Sequence, residues 1–400
     1  MVEAAALVKR LRAQTEAIVA TTTRLAAIDS GSGDEAGIAA VCQALGTVLT
    51  EAGFTVEHRA PGGLRARLAG ASPHGPRLLL VGHADTVWPA GTAAQWPVRI
   101  DGDMLSGPGV GDMKACLVLA AHAMATARGL GALAGVGEVE LLVIPDEELG
   151  SVASRPWIEE RARHARACLG LEAGWPGGGL DVERGAVGAL TVTARGRSAH
   201  AAGHEGTGAS AVAALAPLVT ALESLSRPEE ERLITVGIFR GGVARQVVPD
   251  HAELHVDLRA PTATAADELL AEVRAAVAAA DGGEVALQLG GGITRPAMPR
   301  DASRWMWDRA QAHAAALGIE VWPVRSRGGS DASFPAALGV PTLDGLGPIC
   351  HDSCARGERI EISSLASRGA LMALLAADLG AAWAAEQDQA RDSGNVDAPA

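Results

Sequence analysis

A chain of 400 residues exceeds the size at which one core keeps growing, so two domains are expected. Its hydrophobic share of 48% supports packed units, and a net charge of −13 without any Lys/Arg cluster excludes nucleic acid as a partner. No consecutive run of about 18 apolar residues occurs, so no membrane span is expected.

In chain order, the start "MVEAAALVKRLRAQTEAIVATTTRLAAI" has an amphipathic helical period with interspersed charges, and it lacks the ordered regions of a secretory signal. "RLLLVG" (77–82), "VELLVI" (139–144), "ACLGL" (167–171) and "GVPTL" (339–343) are short, continuous apolar runs, the signature of strands buried on both faces. A helical stretch such as 114–129 lies between them, which predicts an α/β fold with a mostly parallel sheet. The middle of the chain differs. "HAELHVDLR" (251–259) alternates strictly, as a sheet with one wet face does. Strands at 187–195, 233–240, 251–259 and 284–290, with helices at 208–226 and 263–280, give a β-α-β-β-α-β, ferredoxin-like α+β unit. The reading is a discontinuous catalytic domain, 1–184 plus 296–384, interrupted by an inserted domain, 185–295. The polar, aperiodic end is expected to be a disordered tail from 385 to 400. Five scattered cysteines do not make a disulfide framework and indicate a reducing cytoplasm.

The chemistry lies where the buried runs stop. "LLLVGHADTV" ends in His83 and Asp85, "LLVIPDEELG" in Glu147 and Glu148, and "CLGLEAG" in Glu172, while "VPTLDGLGPICH" reaches His351. Ligands of open α/β sheets collect beyond the carboxyl ends of the strands, so four strands can deliver these groups to one rim. A fifth group, Asp112, follows the Gly-rich "SGPGVGDMKA", whose glycines permit a tight approach. Two imidazoles and three carboxylates can hold two Zn²⁺ ions if one carboxylate bridges. In "PDEELGS", Glu148 would then ligate and Glu147 would act as base, with the cations offsetting the repulsion between adjacent acids. In His83-x-Asp85 the aspartate can fix the tautomer of a ligating histidine. Each motif alone is more often a solvated loop or a core histidine; their joint occurrence at four strand ends decides the reading.

The ordered set "GHADTV", "GPGVGDMKA", "DEELGS", "LEAG", "GRSAH", "GGSDA" and His351 resembles the di-zinc aminoacylase and carboxypeptidase family over about residues 10 to 380. That family includes acetylornithine deacetylase, succinyl-diaminopimelate desuccinylase, aminoacylase and glutamate carboxypeptidase. The "GHADTVWPAG" motif, Glu172 and the Arg295–Pro296 pair look most like the glutamate carboxypeptidases. The resemblance implies that His83, Asp112 and Glu172 hold one zinc, and that Asp112, Glu148 and His351 hold the other; Co²⁺ or Mn²⁺ also suits such a shell. It further implies Glu147 as general base and proton shuttle, Asp85 orienting His83, and a cis Asp112–Met113 peptide. The inserted domain would be a lid and homodimerisation domain, with His200 stabilising the oxyanion. Arg259 would grip a substrate carboxylate, with Arg295 as a second candidate, and Gly329 and Ser330 would line a Gly-rich wall. Gln246 stands where the family commonly has Asn, and Cys116, Cys350 and Cys354 depart from its pattern, raising a separate thiolate site around His351.

The expected function is metal-dependent cleavage of an amide bond beside a free carboxylate, releasing a C-terminal amino acid such as glutamate. The substrate would be a small molecule or peptide. An N-acyl amino acid deacylase is the nearest alternative, and a non-catalytic metal-stabilised binding protein an alternative of another class. Ser330 beside Asp331 suggests a serine hydrolase, but no G-x-S-x-G elbow occurs.

Overall fold

The buried apolar runs become the middle of a six-stranded sheet. In the computed structural model, which describes residues 3–60, 62–203 and 206–392, its order is Thr55–Arg59, Gly63–Ala69, Glu138–Ile144, Arg77–His83, Ala167–Gly170 and Thr342–Leu343. Arg77–His83 pairs in parallel with both neighbours, and Thr342–Leu343 pairs in parallel with Ala167–Gly170. The first two strands form an antiparallel hairpin at one edge. Side chains alternate between two apolar layers. Leu78, Leu80, Leu141 and Val143 face one, while Leu79, Val81, Leu142 and Ile144 face the other. Burial on both faces explains why these runs are continuous. The "GVPTL" run yields only the short strand Thr342–Leu343, because Gly339 turns at φ 81° and Pro341 has no N–H to give a ladder.

The chain divides into two units. The first takes in the sequence up to Val182, Pro299–Val324 and everything from Ser330; the second is Glu183–Met298 with Arg325–Gly329. The return of Arg325–Gly329 to the second unit is a feature the sequence reading did not contain. In the first unit a small sheet orders Cys350–His351, Arg359–Glu361, Met104–Ser106 and Arg99–Asp101. That sheet brings the His351 hairpin beside the loop leading to Asp112.

The last helix, Ser364–Asp392, corrects the expected tail from 385. Ala, Glu and Gln are strong helix formers that need no apolar period to continue a helix. Glu386 also accepts from Arg166 Nη2 at 2.8 and 2.9 Å; residues 393–400 lie outside the described ones. Within this helix, Ser364–Gln389 is long and apolar enough to cross a membrane, but 72% of its most apolar window is buried in the fold. It packs against Ala4–Arg12, Ala115–Gly129 and Arg300–Leu317, as a core helix does.

In the second unit four antiparallel strands are ordered Leu233–Gly241, His251–Ala260, Ala186–Arg195 and Ala286–Arg295. The helices Ala211–Glu223 and Ala263–Ala280 begin at Ser210 and Thr262, whose hydroxyls accept from the amides of Ala213 and Ala265. Ala252, Leu254, Val256 and Leu258 are buried in one core with Leu215, Leu218 and Leu269, so the strict alternation is the trace of a one-sided sheet.

One buried charge breaks the apolar pattern of the central sheet. Glu140 is 0% exposed, and its carboxylate is clasped by Arg65 and by Arg161 at 2.9 Å, with Arg77 at 3.8 Å. Glu140→Ala removes the buried acid these guanidiniums share and leaves them only their outer partners Glu57, Glu138 and Glu160, and urea unfolding is expected to show a loss of about 2–4 kcal/mol. A loss below about 0.5 kcal/mol would show that the arginines are solvated independently of Glu140.

Candidate metal centre

His83 ends its strand fully surrounded by protein. Its Nδ1 lies 2.9 Å from the Asp85 carbonyl oxygen and 3.4 Å from the Asp85 carboxylate, and its Nε2 lies 3.0 Å from Asp112 Oδ1. Asp85 therefore orients the ring, its backbone oxygen being the nearer contact and its carboxylate the farther. The Asp85 carboxylate has other work. It accepts the Ser32 hydroxyl at 2.8 Å and the amides of Glu147 and Glu148, each at 3.1 Å. One buried aspartate thus fixes both the His83 ring and the turn that carries the acidic pair.

With Nδ1–H given to a carbonyl, neutral His83 turns an acceptor toward Asp112, which is also an acceptor. A positive species must sit between them. Burial disfavours the imidazolium, but hydrogen bonds to Asp112 and Asp85 carry the imidazole well above its usual value. For Asp112 burial favours the neutral acid, yet the His83 hydrogen bond and charge hold it down at about 2.

Asp112 is delivered by a tight loop. Gly107 (φ 154°) and Gly109 (φ 68°) adopt conformations that favour glycine, and the Asp112–Met113 peptide is cis, as the resemblance implies. Gly82 makes room on the neighbouring strand, since a Cβ there would meet Met113 Sδ at 2.7 Å. Asp112 Oδ2 accepts from Ser353 at 3.2 Å and from the Cys354 thiol at 3.0 Å.

Ligating atoms of His83, Asp112 and Glu148 lie within 4.8 Å of one another, and Glu148 Oε1 is buried without a hydrogen-bond partner. Burial and the Asp112 charge push the Glu148 carboxyl up to about 8. Glu172, two residues beyond its strand, is raised by burial and then by Asp112, and its amide donates to Asp344 at 3.3 Å. Among the described residues this compact group contains three of the five expected ligands. Glu172 and His351 stand outside it, with His351 Nε2 held by Glu361 at 2.8 Å. Nitrogen and oxygen donors, a bare buried carboxylate oxygen and an imidazole facing an acceptor fit a divalent cation.

The second unit holds most of the remaining candidates. His200 is exposed, and its Nδ1 accepts from the Ala202 amide at 3.1 Å, which leaves Nε2 as the donor. Gln246 is exposed and uses its backbone oxygen on Ala201. Arg259 donates from Nε and Nη2 to Asp257 at 2.8 and 2.9 Å and from Nη1 to the Arg327 carbonyl at 3.2 Å. One fork of that guanidinium is therefore engaged, which sequence reasoning did not anticipate. Arg295 is buried, and Gly329 leaves room for it, since a Cβ there would meet Arg295 Cγ at 2.7 Å. Ser330, in the first unit, is also buried; its hydroxyl accepts from the Ala332 amide at 3.1 Å, so it caps a turn instead of presenting a nucleophile. Cys350 is buried and Cys354 exposed; burial pushes both thiols up, with the Asp112 charge adding to it at Cys354, and among the described residues neither thiol belongs to the His83, Asp112 and Glu148 group.

Sequence reasoning missed Ser32, Asp344, Ser353 and Glu358. Glu358 is fully buried and accepts from Gly111 and Asp112 amides at 2.8 and 3.0 Å. Burial pushes its carboxyl up to about 7, against the hydrogen bond from Asp112. Its signal in "RGERIEI" is that of an ordinary charge run.

The chain is 29% identical over 380 residues to carboxypeptidase G2 of Pseudomonas sp. (strain RS-16), covering 91% of this chain and 90% of that one. Its fold is similar to aminopeptidase PepT from Bacillus cereus ATCC 10987, with a TM-score of 0.72 and 22% identity over 91% of this chain and 98% of that one. It is also similar to an M20 family metallo-carboxypeptidase, Sso-CP2 from Sulfolobus solfataricus, with a TM-score of 0.71 and 16% identity over 91% and 99% of the two chains. Residues 79–378 match the model of peptidase family M20/M25/M40, and the chain belongs to that family of metal-dependent hydrolases.

Proposed function

We propose that this hydrolase is a carboxypeptidase of glutamate-carboxypeptidase type, cleaving an amide whose amine side carries a free carboxylate. The observation that carries the reading is the meeting of His83, Asp112 and Glu148 within 4.8 Å, with Glu147 next to Glu148 on the same turn. The similarity to carboxypeptidase G2 supports the substrate class.

His83, Asp112 and Glu172 would hold one cation and Asp112, Glu148 and His351 a second, with Zn²⁺ the natural choice and Co²⁺ or Mn²⁺ compatible. Such ions, when bound, polarise the scissile carbonyl and make a water acidic enough to lose its proton near neutral pH. Glu147 takes that proton and returns it to the leaving amine. Asp85 holds the Glu147 and Glu148 amides, so the base and the ligand keep a fixed separation. His200 Nε2–H is assigned to the developing oxyanion. Arg259 is assigned to the substrate carboxylate through the guanidinium N–H groups that Asp257 and the Arg327 carbonyl leave. A homodimer formed through the second unit and a reducing, cytoplasmic setting complete the proposal; all five cysteines are free thiols.

Glu147→Ala is expected to retain bound metal in elemental analysis while turnover falls by about 10²–10⁴-fold. Near-parental turnover would remove Glu147 from the mechanism. For Arg259→Leu, kcat/KM should fall about 10–100-fold on substrates with a free C-terminal carboxylate and hardly change on their carboxamides. Equal losses on both would refute the carboxylate assignment. Amine release from acetyl, succinyl and peptidyl amino acids, assayed together, separates carboxypeptidase from N-acyl deacylase activity.

A further inference from the structure

We propose that Glu358 is a positioning residue of the metal centre, which gathers the Gly107–Asp112 loop and ties it to the hairpin bearing His351. The inference rests on the metal-centre reading above. It assigns work to a residue that neither ligates nor reacts.

Three successive features make the case. First, the loop turns several amides toward one point. Glu358 Oε1 accepts from Gly111 at 2.8 Å and Asp112 at 3.0 Å, while Oε2 accepts from Gly109 at 3.4 Å and Trp88 Nε1 at 3.2 Å. Converging backbone amides of this kind form an anion-binding nest, and here the protein fills it with its own carboxylate. The Glu358 backbone joins in, its carbonyl accepting from Gly107 at 3.3 Å.

Second, the carboxylate is shielded from bulk water. Glu358 is 0% exposed, and the buried Lys114, whose ammonium donates to the Ile28 carbonyl at 2.7 Å, lies within reach of the Glu358 charge. An unscreened carboxylate with four charge-assisted donors is a stiff anchor.

Third, the anchor joins two proposed ligands. Glu358 precedes Arg359–Glu361, the strand paired with Cys350–His351. His351 Nε2 is itself held by Glu361 from that same strand. Across the joint, a Cβ on Gly111 would collide with Cys350 Sγ, so loop and hairpin are in direct contact. With its amide fixed, Asp112 presents one carboxylate oxygen to His83 and the other to Ser353 and Cys354. Loss of the anchor frees the spacing between Asp112 and His351.

The test compares the full-length parent with Glu358→Gln, Glu358→Ala and Trp88→Phe. Zinc affinity is read by competition with a chromophoric chelator. The visible absorption of the Co²⁺-saturated protein is read alongside, with thermal unfolding of the metal-free protein as a folding check. Affinity should weaken about 10–100-fold in folded Glu358→Ala, as for other groups that orient metal ligands. Glu358→Gln should fall between parent and Glu358→Ala, because its amide oxygen serves one pair of donors while its NH₂ opposes the other. Trp88→Phe, which leaves the loop amides paired, should weaken binding least. The Co²⁺ bands should shift in both Glu358 variants even at saturation, which a simple loss of stability would not produce. Parental affinity and parental bands in folded Glu358→Gln overturn the proposal. Should Glu358→Ala not fold, Glu358→Gln and Trp88→Phe decide it by the same two readouts. A parent that binds no divalent cation overturns the metal-centre reading itself, whereas a metal-binding parent with indistinguishable variants overturns only the role of Glu358.

Discussion

Negative charge converging on one imidazole is the constraint from which the rest of the first unit follows. His83 gives its Nδ1 side to a backbone carbonyl and meets the Asp112 carboxylate on the other, while Glu148 adds a buried oxygen without a partner. Carboxylates do not remain charged together in a low-dielectric pocket unless a cation joins them. Here the imbalance is built into the scaffold, because His83 and Glu148 come from the ends of neighbouring strands and Asp112 from a tight loop held beside them. A divalent ion satisfies all of them at once.

Holding that imbalance requires an organised surround, and buried carboxylates supply much of it. Asp85 collects Ser32 and the amides of Glu147 and Glu148, Glu358 collects the loop before Asp112, and Asp344 receives the Glu172 amide. Each acts on backbone donors. The fully buried Arg368 plays the reverse part, giving its guanidinium to the Gly345 and Gly347 carbonyls in the loop that leads to His351. Secondary structure thus places the ligands coarsely, and charged side chains set them finely by binding main chain.

What was legible in the sequence follows from the same division. The parallel strands could be read because burial on both faces leaves uninterrupted apolar runs, and the groups at their ends stand out against them. The inserted unit could be read because a one-sided sheet leaves strict alternation in "HAELHVDLR". Glu358 was silent, since an acid that binds backbone amides needs no partner residue type and leaves no pattern. The Asp257 grip on Arg259 is equally invisible, because charges two apart on a strand ordinarily mark a wet face. The last turns of the final helix, beyond residue 384, escaped notice because Ala, Glu and Gln sustain a helix without an apolar stripe. Family resemblance implied the cis peptide and named the ligands; it did not disclose that Asp85 works through its carbonyl as well as its carboxylate.

The central claim is that these side chains bind divalent cations between them. Anomalous diffraction at the zinc absorption edge, on crystals of zinc-loaded protein, tests it most directly. The account predicts a peak about 2.0–2.2 Å from His83 Nε2 and from an Asp112 carboxylate oxygen, with a second peak sharing Asp112 and reaching Glu148 and His351. Peaks found only elsewhere on the molecule, or none at all, would contradict it.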